Sequence, residues 1–148
     1  MPAIKPGQHI STLVISEVLN SGGFATVVKA SQRDGRGPEI ALKISKSDKD
    51  GDPFFSLMLT NEVEVMRKLH SPGVVRILPM TWERKPNIYF AVALELAGHP
   101  PYYAMELLRG PSLEDHVKSV KVMPPGDSAA MGCSVARTLA DVHREGFA

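Results

Sequence analysis

The sequence predicts an α+β fold, and three observations carry that prediction. Strand-like segments fill the first part of the chain, helix-like segments close it, and the apolar period switches from two to about 3.6 after Asp52-Pro53. Ser11 to Leu19 is rich in Thr, Val, Ile and Leu and ends at the turn-forming run Asn20-Ser21-Gly22-Gly23. Thr26 to Ala30 reads as a second strand. Arg33-Asp34-Gly35-Arg36-Gly37-Pro38 is a turn by composition, and Glu39 to Ser45 a third strand. Short turns between them predict an antiparallel meander.

Asp52 can cap a helix whose first position is Pro53, and Ser71-Pro72-Gly73 stops that helix at about His70. Val74 to Trp82 and Ile88 to Leu96 are strand-like, separated by a turn at Arg84 to Asn87. Gly98-His99-Pro100-Pro101 breaks the second, and Tyr102 to Leu108 is a further short strand. Ser112 with Asp115 three residues on opens a helix to about Val120. Pro124-Pro125-Gly126 breaks it, and Asp127 is the expected cap of a last helix through about Arg144.

The 148 residues suit one domain, and 43% hydrophobic content suffices for a core. Seventeen basic against 16 acidic residues give a net charge of +1, which excludes a basic nucleic-acid arm or an acidic solubilising domain. The single cysteine, Cys133, excludes an internal disulfide and fits a reducing compartment. The five histidines show no metal-ligand spacing, so no metal site is expected. The start has no apolar signal region, and the run Ile88 to Leu94 is far too short to span a membrane. These features predict a cytoplasmic chain with no membrane segment and no nucleic-acid partner.

Three features point to chemistry. Phe55, Leu59, Met66 and Leu69 share one helix face, with Met58 and Val65 flanking, and Glu62 sits in the middle of that apolar stripe. A carboxylate there needs a cation; Glu64, about 200° around, is expected in solvent. In the third strand Ile40, Leu42 and Ile44 point one way and Ala41 and Lys43 the other, which turns Lys43 inward. On pattern alone Lys43 is equally readable as a strand lysine snorkelling to solvent. The turn Asn20 to Val27 joins two antiparallel strands with no helix after it, so it is neither a dinucleotide fingerprint nor a Walker loop. It is an ordinary hairpin turn, or one whose backbone N–H groups lie over phosphates.

In order and spacing these residues resemble the N-terminal half of a protein kinase domain. The turn with Val27 resembles the kinase Gly-rich loop, and Ile40-Ala41-Leu42-Lys43 the V-A-I-K strand. Glu62 to Leu69, then Pro72 and Val74-Val75-Arg76, resembles helix C and the strand after it. Tyr103 to Leu113 resembles the hinge and the start of helix D, and Leu139 to Phe147 the end of helix E. Asn20 and Ala25 depart from the loop pattern, standing where glycines are usual. Asn20 tolerates left-handed geometry, and the Ala25 methyl would stiffen or slightly lift the loop.

The resemblance implies an N-terminal extension (1–11) and a partial kinase domain (12–148). Within it would lie an N-lobe (12–105) built on a five-stranded antiparallel sheet and helix C, a hinge (106–110) and the start of the C-lobe (111–148). ATP would be held by Leu19, Asn20, Ser21, Gly22, Gly23, Phe24, Ala25, Thr26 and Val27, and by Ala41, Lys43, Met105, Glu106 and Leu108. Lys43 and Glu62 would be the catalytic pair. The hinge has two candidate registers: Leu94-Glu95, or Met105-Glu106. Only the second runs directly into a capped helix, so Ile88 to Leu96 is expected as an added strand, hairpinned to Ile77 to Glu83. The sequence contains neither His-Arg-Asp nor Asp-Phe-Gly. The resemblance therefore implies a fragment of a serine/threonine kinase, inactive alone, with Mg²⁺ and protein substrate engaged only in the complete domain. The alternatives are a non-catalytic nucleotide-binding or scaffolding module, or an unrelated α+β domain. The last helix carries Cys133, Ala136, Leu139, Ala140 and His143 along one side; left uncovered, that face is expected to drive association or leave the helix loose.

Overall fold

The computed structural model describes residues 3–46, 53–85 and 87–147. The chain divides into two units. The first takes in Arg76–Leu107 and the chain up to Arg67; the second takes in Lys68–Val75 and the chain from Leu108 onward.

The first unit is an antiparallel sheet with one helix. Its strands are β1 (His9–Ile10), β2 (Leu13–Ser21), β3 (Ala25–Gln32), β4 (Ile40–Ser45), β5 (Ile77–Leu78), β6 (Ala91–Val92) and β7 (Pro101–Glu106), and α1 is Phe54–Met66. The order is β1-β2-β3-β4-β7-β5, with β6 also on β7. Among the described residues seven strands thus stand where five were expected, and β1 comes from within the expected N-terminal extension. Ser11, at φ 53°, makes the tight turn from β1, so β2 starts at Leu13 rather than Ser11.

Period-two alternation gives the sheet two buried faces. Val28, Ala30, Ile40, Leu42, Ile44, Tyr102 and Ala104 pack on one face with Ile10, Leu13 and Ile15. Met80, Ala93 and Leu96, from the segment between β5 and β7, cover the same face. On the other face Tyr103 and Ile77 meet Leu59 and Val63 of α1.

The expected hairpin between Ile77–Glu83 and Ile88–Leu96 does not form. Pro79 has no N–H and ends β5 after two residues. β5 pairs with Met105 and Ala104, and β6 with Tyr102 and Pro101, so the two share one edge of β7. A single backbone bond, Met80 N–H to the Ile88 carbonyl at 2.9 Å, joins the segments expected to pair.

The helix α1 ends at Met66, four residues before the expected stop. The Lys68 carbonyl oxygen lies 2.9 Å from His70 Nδ1 instead of accepting a helical N–H. Ser71 precedes a proline and is disfavoured from helix. The expected cap, Asp52, lies outside the described residues; the N-cap position is Pro53, with no side-chain cap bond. The buried stripe also differs. Leu59 and Val63 are its buried members, Met58 is exposed, and Leu69 lies beyond the helix.

The second unit holds α2 (Leu113–Val120) and α3 (Pro125–Arg144). Ser112 caps α2: its Oγ accepts from the Asp115 N–H at 3.1 Å and donates to Asp115 Oδ2 at 2.7 Å. Hydrogen bonding to Ser112 holds the Asp115 carboxyl below its ordinary value. Asp127 does not cap α3; the N-cap is Pro124, with Pro125 at the first position and Asp127 inside the first turn, where it suits the helix dipole. The 68–75 turn docks on α3 through Ser71 Oγ, which donates to Asp141 Oδ2 at 2.7 Å. Beside it a Cβ on Gly73 would fall 1.8 Å from Thr138 Oγ1, so only glycine fits. No residue of α2 or α3 is buried, and Leu113, Val117, Val135 and Leu139 line an exposed apolar groove along them. Among the described residues no helix is long and apolar enough to cross a membrane.

Two outcomes follow from this packing. Leu59→Ala is expected to cost about 2–5 kcal/mol by removing one of the two buried anchors of α1, read by urea denaturation. Burial first, then neighbouring carboxylates, push the Tyr102 and Tyr103 phenols above their ordinary 10.0. Phenols raised on folding stabilise fully below the unfolded value, and that contribution is lost as pH climbs past about 10. Denaturation midpoints should therefore fall on the alkaline side, and fall less steeply in Tyr102→Phe.

Candidate functional site

The site is built on the α1 face of the sheet. Register sets Val27 opposite Lys43 and Lys43 opposite Tyr103; one step along, Lys29 lies opposite Ala41 and Ala41 opposite Met105. Same-face alternation therefore brings Val27, Ala41, Lys43 and Met105 together on adjacent strands. Lys29, on the same face, is committed to Glu17 at 3.1 Å and Glu39 at 3.7 Å. Its hydrogen bond to Glu17, then the charge of Glu39, hold its ammonium above the ordinary lysine value.

Lys43 Nζ donates to both carboxylate oxygens of Glu62, at 2.6 and 2.7 Å. The side chains retain 27% and 36% exposure, so the pair is neither sealed from water nor freely solvated. Glu64, as expected, is exposed and pairs with Arg67 at 3.2 Å. The inward reading of Lys43 therefore holds and the snorkelling one does not.

The glycine-rich turn closes between Ser21 and Thr26, with the Gly22 N–H donating to the Ala25 carbonyl at 3.0 Å. Asn20 sits in β2 opposite Val27, and its tolerance of left-handed geometry is not used. Leu19 falls at a register shift in β2 and is exposed. Thr26 differs from its neighbours: it is buried, and its hydroxyl lies 3.2 Å from that of Ser21. Phe24, at the tip, meets Phe54 and Phe55 of α1 with its ring tilted 49° and 59° to theirs and centroids 6.2 and 6.1 Å apart. A cleft of about 360 Å³ lies between the turn, β4 and α1, with Phe24, Ser45, Phe55, Lys43 and Glu62 in its walls.

Neither Gly22 nor Gly23 has a positive φ. A Cβ would meet nothing within 4 Å at Gly23 and only the Ala25 carbonyl, at 3.9 Å, at Gly22. The fold itself does not require glycine at either position.

Of the two hinge registers, Met105 lies on β7 between Ala41 and Ile77. Leu94 is in a turn and 69% exposed. Glu106 is tied twice to Arg76: its N–H donates to the Arg76 carbonyl at 3.0 Å, and its Oε1 accepts the Arg76 N–H at 2.8 Å. Leu108 is exposed and belongs to the second unit. Sequence reasoning missed Tyr103, the buried neighbour of Lys43, and the Phe24–Phe54–Phe55 cluster; the adjacent aromatics at 54 and 55 were the available signal. Among the described residues no three His, Cys, Asp or Glu side chains gather as metal ligands do.

A curled sheet with one helix, a glycine-rich turn and a lysine clamped by a helical glutamate define a protein kinase N-terminal lobe. A family model described as protein tyrosine and serine/threonine kinase matches residues 13–147, and the chain belongs to that family. The serine/threonine-protein kinase PknB of Mycobacterium leprae is 28% identical over 134 residues, covering 90% of this chain and 20% of that protein. PkaA of Streptomyces coelicolor, also a serine/threonine-protein kinase, is 24% identical over 146 residues, covering 92% and 24%. The crystal structure of the Mycobacterium tuberculosis PknI kinase domain matches with a TM-score of 0.69 at 19% identity, covering 97% of this chain and 52% of that one. The chain thus spans about a quarter or less of these curated relatives and about half of the solved kinase domain.

Because neither turn glycine is held by backbone strain or crowding, Gly22→Ala and Gly23→Ala should each leave stability unchanged or raise it by about 0.4–1 kcal/mol. Thermal melts of the two variants check this.

Proposed function

We propose that this chain is the ATP-binding part of a serine/threonine protein kinase, with an N-lobe over 12–105, a hinge over 106–110 and the start of the C-lobe over 111–148. The observation that carries the reading is the bidentate Lys43–Glu62 pair beside a turn whose glycines the fold does not need. Glycine costs conformational entropy, so its presence there is accounted for by the close approach of something outside the chain.

In this reading the backbone from Asn20 to Val27, with Leu19 at its start, covers the phosphates. Val27 and Ala41 form the apolar roof over the adenine, and Met105 stands behind it. The Glu106 carbonyl and Leu108 N–H meet the adenine edge. Lys43 holds the α- and β-phosphates, and Glu62 fixes where its ammonium points. Bound ATP would supply the γ-phosphoryl group for transfer to a protein hydroxyl. This chain contributes position and charge, not a base. Its residues do not fit a resident Mg²⁺: Glu62 is engaged with Lys43, and no carboxylate cluster lies among the described residues.

Binding of a fluorescent ATP analogue to the 148-residue chain tests the reading. Binding should occur, depend little on Mg²⁺, and be lost in Lys43→Met; equal binding by that variant would overturn it. Gly22→Ala and Gly23→Ala should weaken binding while sparing stability. The chain should transfer no phosphate by itself, since positioning without base or metal ligands omits most of the transition-state stabilisation. A phosphotransfer activity that purifies with the chain and vanishes in Lys43→Met would contradict that.

Met105→Gly should open space for adenine analogues with bulky substituents, while Leu94→Gly should not. The reverse pattern in analogue affinities would move the hinge to the earlier register.

A further inference from the structure

Phe24 stands at the tip of the glycine-rich turn with 56% of its surface exposed. Turn tips are ordinarily filled by glycine, asparagine, aspartate or serine, and a half-exposed ring adds little to a core. The place of Phe24 is nonetheless fixed from two sides. Its carbonyl accepts the Lys46 N–H at 2.9 Å, one step beyond the Ala25–Ser45 pair, which carries the β3–β4 ladder up to the tip. Its ring meets Phe54 and Phe55, themselves edge to face with centroids 5.5 Å apart. All three separations lie in the range where tilted and edge-to-face rings attract. Phe55, Leu59 and Glu62 follow one another at four- and three-residue steps along one face of α1, and all three line the cleft that Lys43 also lines. Phe55 and Glu62 are thus two turns, about 10 Å, apart. At one end of that span α1 reaches the site through Glu62 on Lys43, and at the other through Phe55 on Phe24.

We propose that Phe24 is a positioning residue that couples the glycine-rich turn to α1: its ring, packed on Phe54 and Phe55, fixes the N-terminal half of the helix relative to the turn. The inference deepens the nucleotide-site reading and rests on it for its functional consequence. Leu59 and Val63 hold α1 to the sheet, and a contact through two neighbouring side chains is a pivot. Glu62 lies between those two along the helix, so the ion pair has little leverage about them. The ring contact, one turn before Leu59, has that leverage. A ligand beneath the turn that displaces or stills the turn therefore acts on the helix as well. By linkage the helix acts on ligand affinity with the same coupling free energy. Tyrosine at position 24 would keep the ring contact, and alanine would remove it.

Amide hydrogen exchange of the 148-residue chain reads the coupling without ligand. Phe24→Ala should speed exchange of the α1 amides 57–61 by about three- to tenfold and leave the β4–β7 ladder at native rates, while Phe24→Tyr keeps native rates in both. Native rates over 57–61 in Phe24→Ala overturn the proposal. Equal acceleration across the sheet also overturns it, since that is global destabilisation. Should Phe24→Ala not fold, Phe24→Leu, which keeps apolar bulk without the ring, is read in the same way. In the second arm, Phe24→Ala should weaken binding of the fluorescent ATP analogue by about three- to tenfold in the otherwise native chain and have no effect in a Phe55→Ala background. Phe54→Ala serves as the background where Phe55→Ala does not fold. Equal weakening in both backgrounds would assign Phe24 to the ligand alone and overturn the coupling. Bound analogue should also slow exchange over 57–61 in the native chain and leave it unchanged in Phe24→Ala; equal slowing in both counts against the proposal. If the native chain binds no analogue, the nucleotide reading fails, and the ligand-free exchange rates alone decide the coupling of Phe24 to α1.

Discussion

The structure of the first unit depends on the packing of two side chains, Leu59 and Val63, against Tyr103 and Ile77. Leu59 and Val63 are the buried residues of the helix that carries them, and packing of an amphipathic face supplies most of a helix's stability in a protein. The ion pair beside it cannot take over that task. Exposed pairs contribute roughly 0–1 kcal/mol, and burial adds desolvation cost as fast as it adds attraction. At intermediate exposure the Lys43–Glu62 pair is a consequence of helix placement more than its cause. A pair of that kind can change partners without unfolding the unit.

That placement in turn requires a strand buried on both faces. In β4, Ile40, Leu42 and Ile44 enter one core while Ala41 and Lys43 face the other way. Pure alternation of apolar and polar residues would leave the second face to water. Here the alternate positions are a small residue and a lysine, so that face is shallow at Ala41 and charged at Lys43. β7 follows the same alternation: Tyr103 and Met105 lie opposite Lys43 and Ala41 on one face, and Tyr102 and Ala104 opposite Ile44 and Leu42 on the other.

What was legible in the sequence follows from these periods. Lys43 and Glu62 each break an apolar pattern, which left Lys43 open between an inward and a snorkelling reading; the order of the motifs around them, not the pattern alone, paired the two. Ser112 and Asp115 were legible because a capping box is local chemistry. The failures are non-local. Ile88 to Leu96 has the composition of a strand, but Ala93 and Leu96 carbonyls are taken by turns, and only two residues reach the ladder. Edge pairing depends on which neighbour has free backbone groups, and no local pattern encodes that. The register of α1 was off by one neighbour because Val63 was hidden between two glutamates. Tyr103 was read only as hinge sequence, since a tyrosine in a strand is unremarkable until its hydroxyl is found buried.

The segment between β5 and β7 fixes the far end of the site. β5 and β6 divide one edge of β7 between them, and β4 holds the other, so β7 has no long free edge. At its C-terminal end the pairing finishes in a two-way clamp, with Glu106 bound to Arg76 through both its backbone N–H and its carboxylate. Unit one ends a residue later, at Leu107. A strand locked along both edges and tied at its last residue gives Met105 and Glu106 fixed positions relative to Ala41 and Lys43. In the proposed site the Glu106 carbonyl therefore takes its position from sheet geometry.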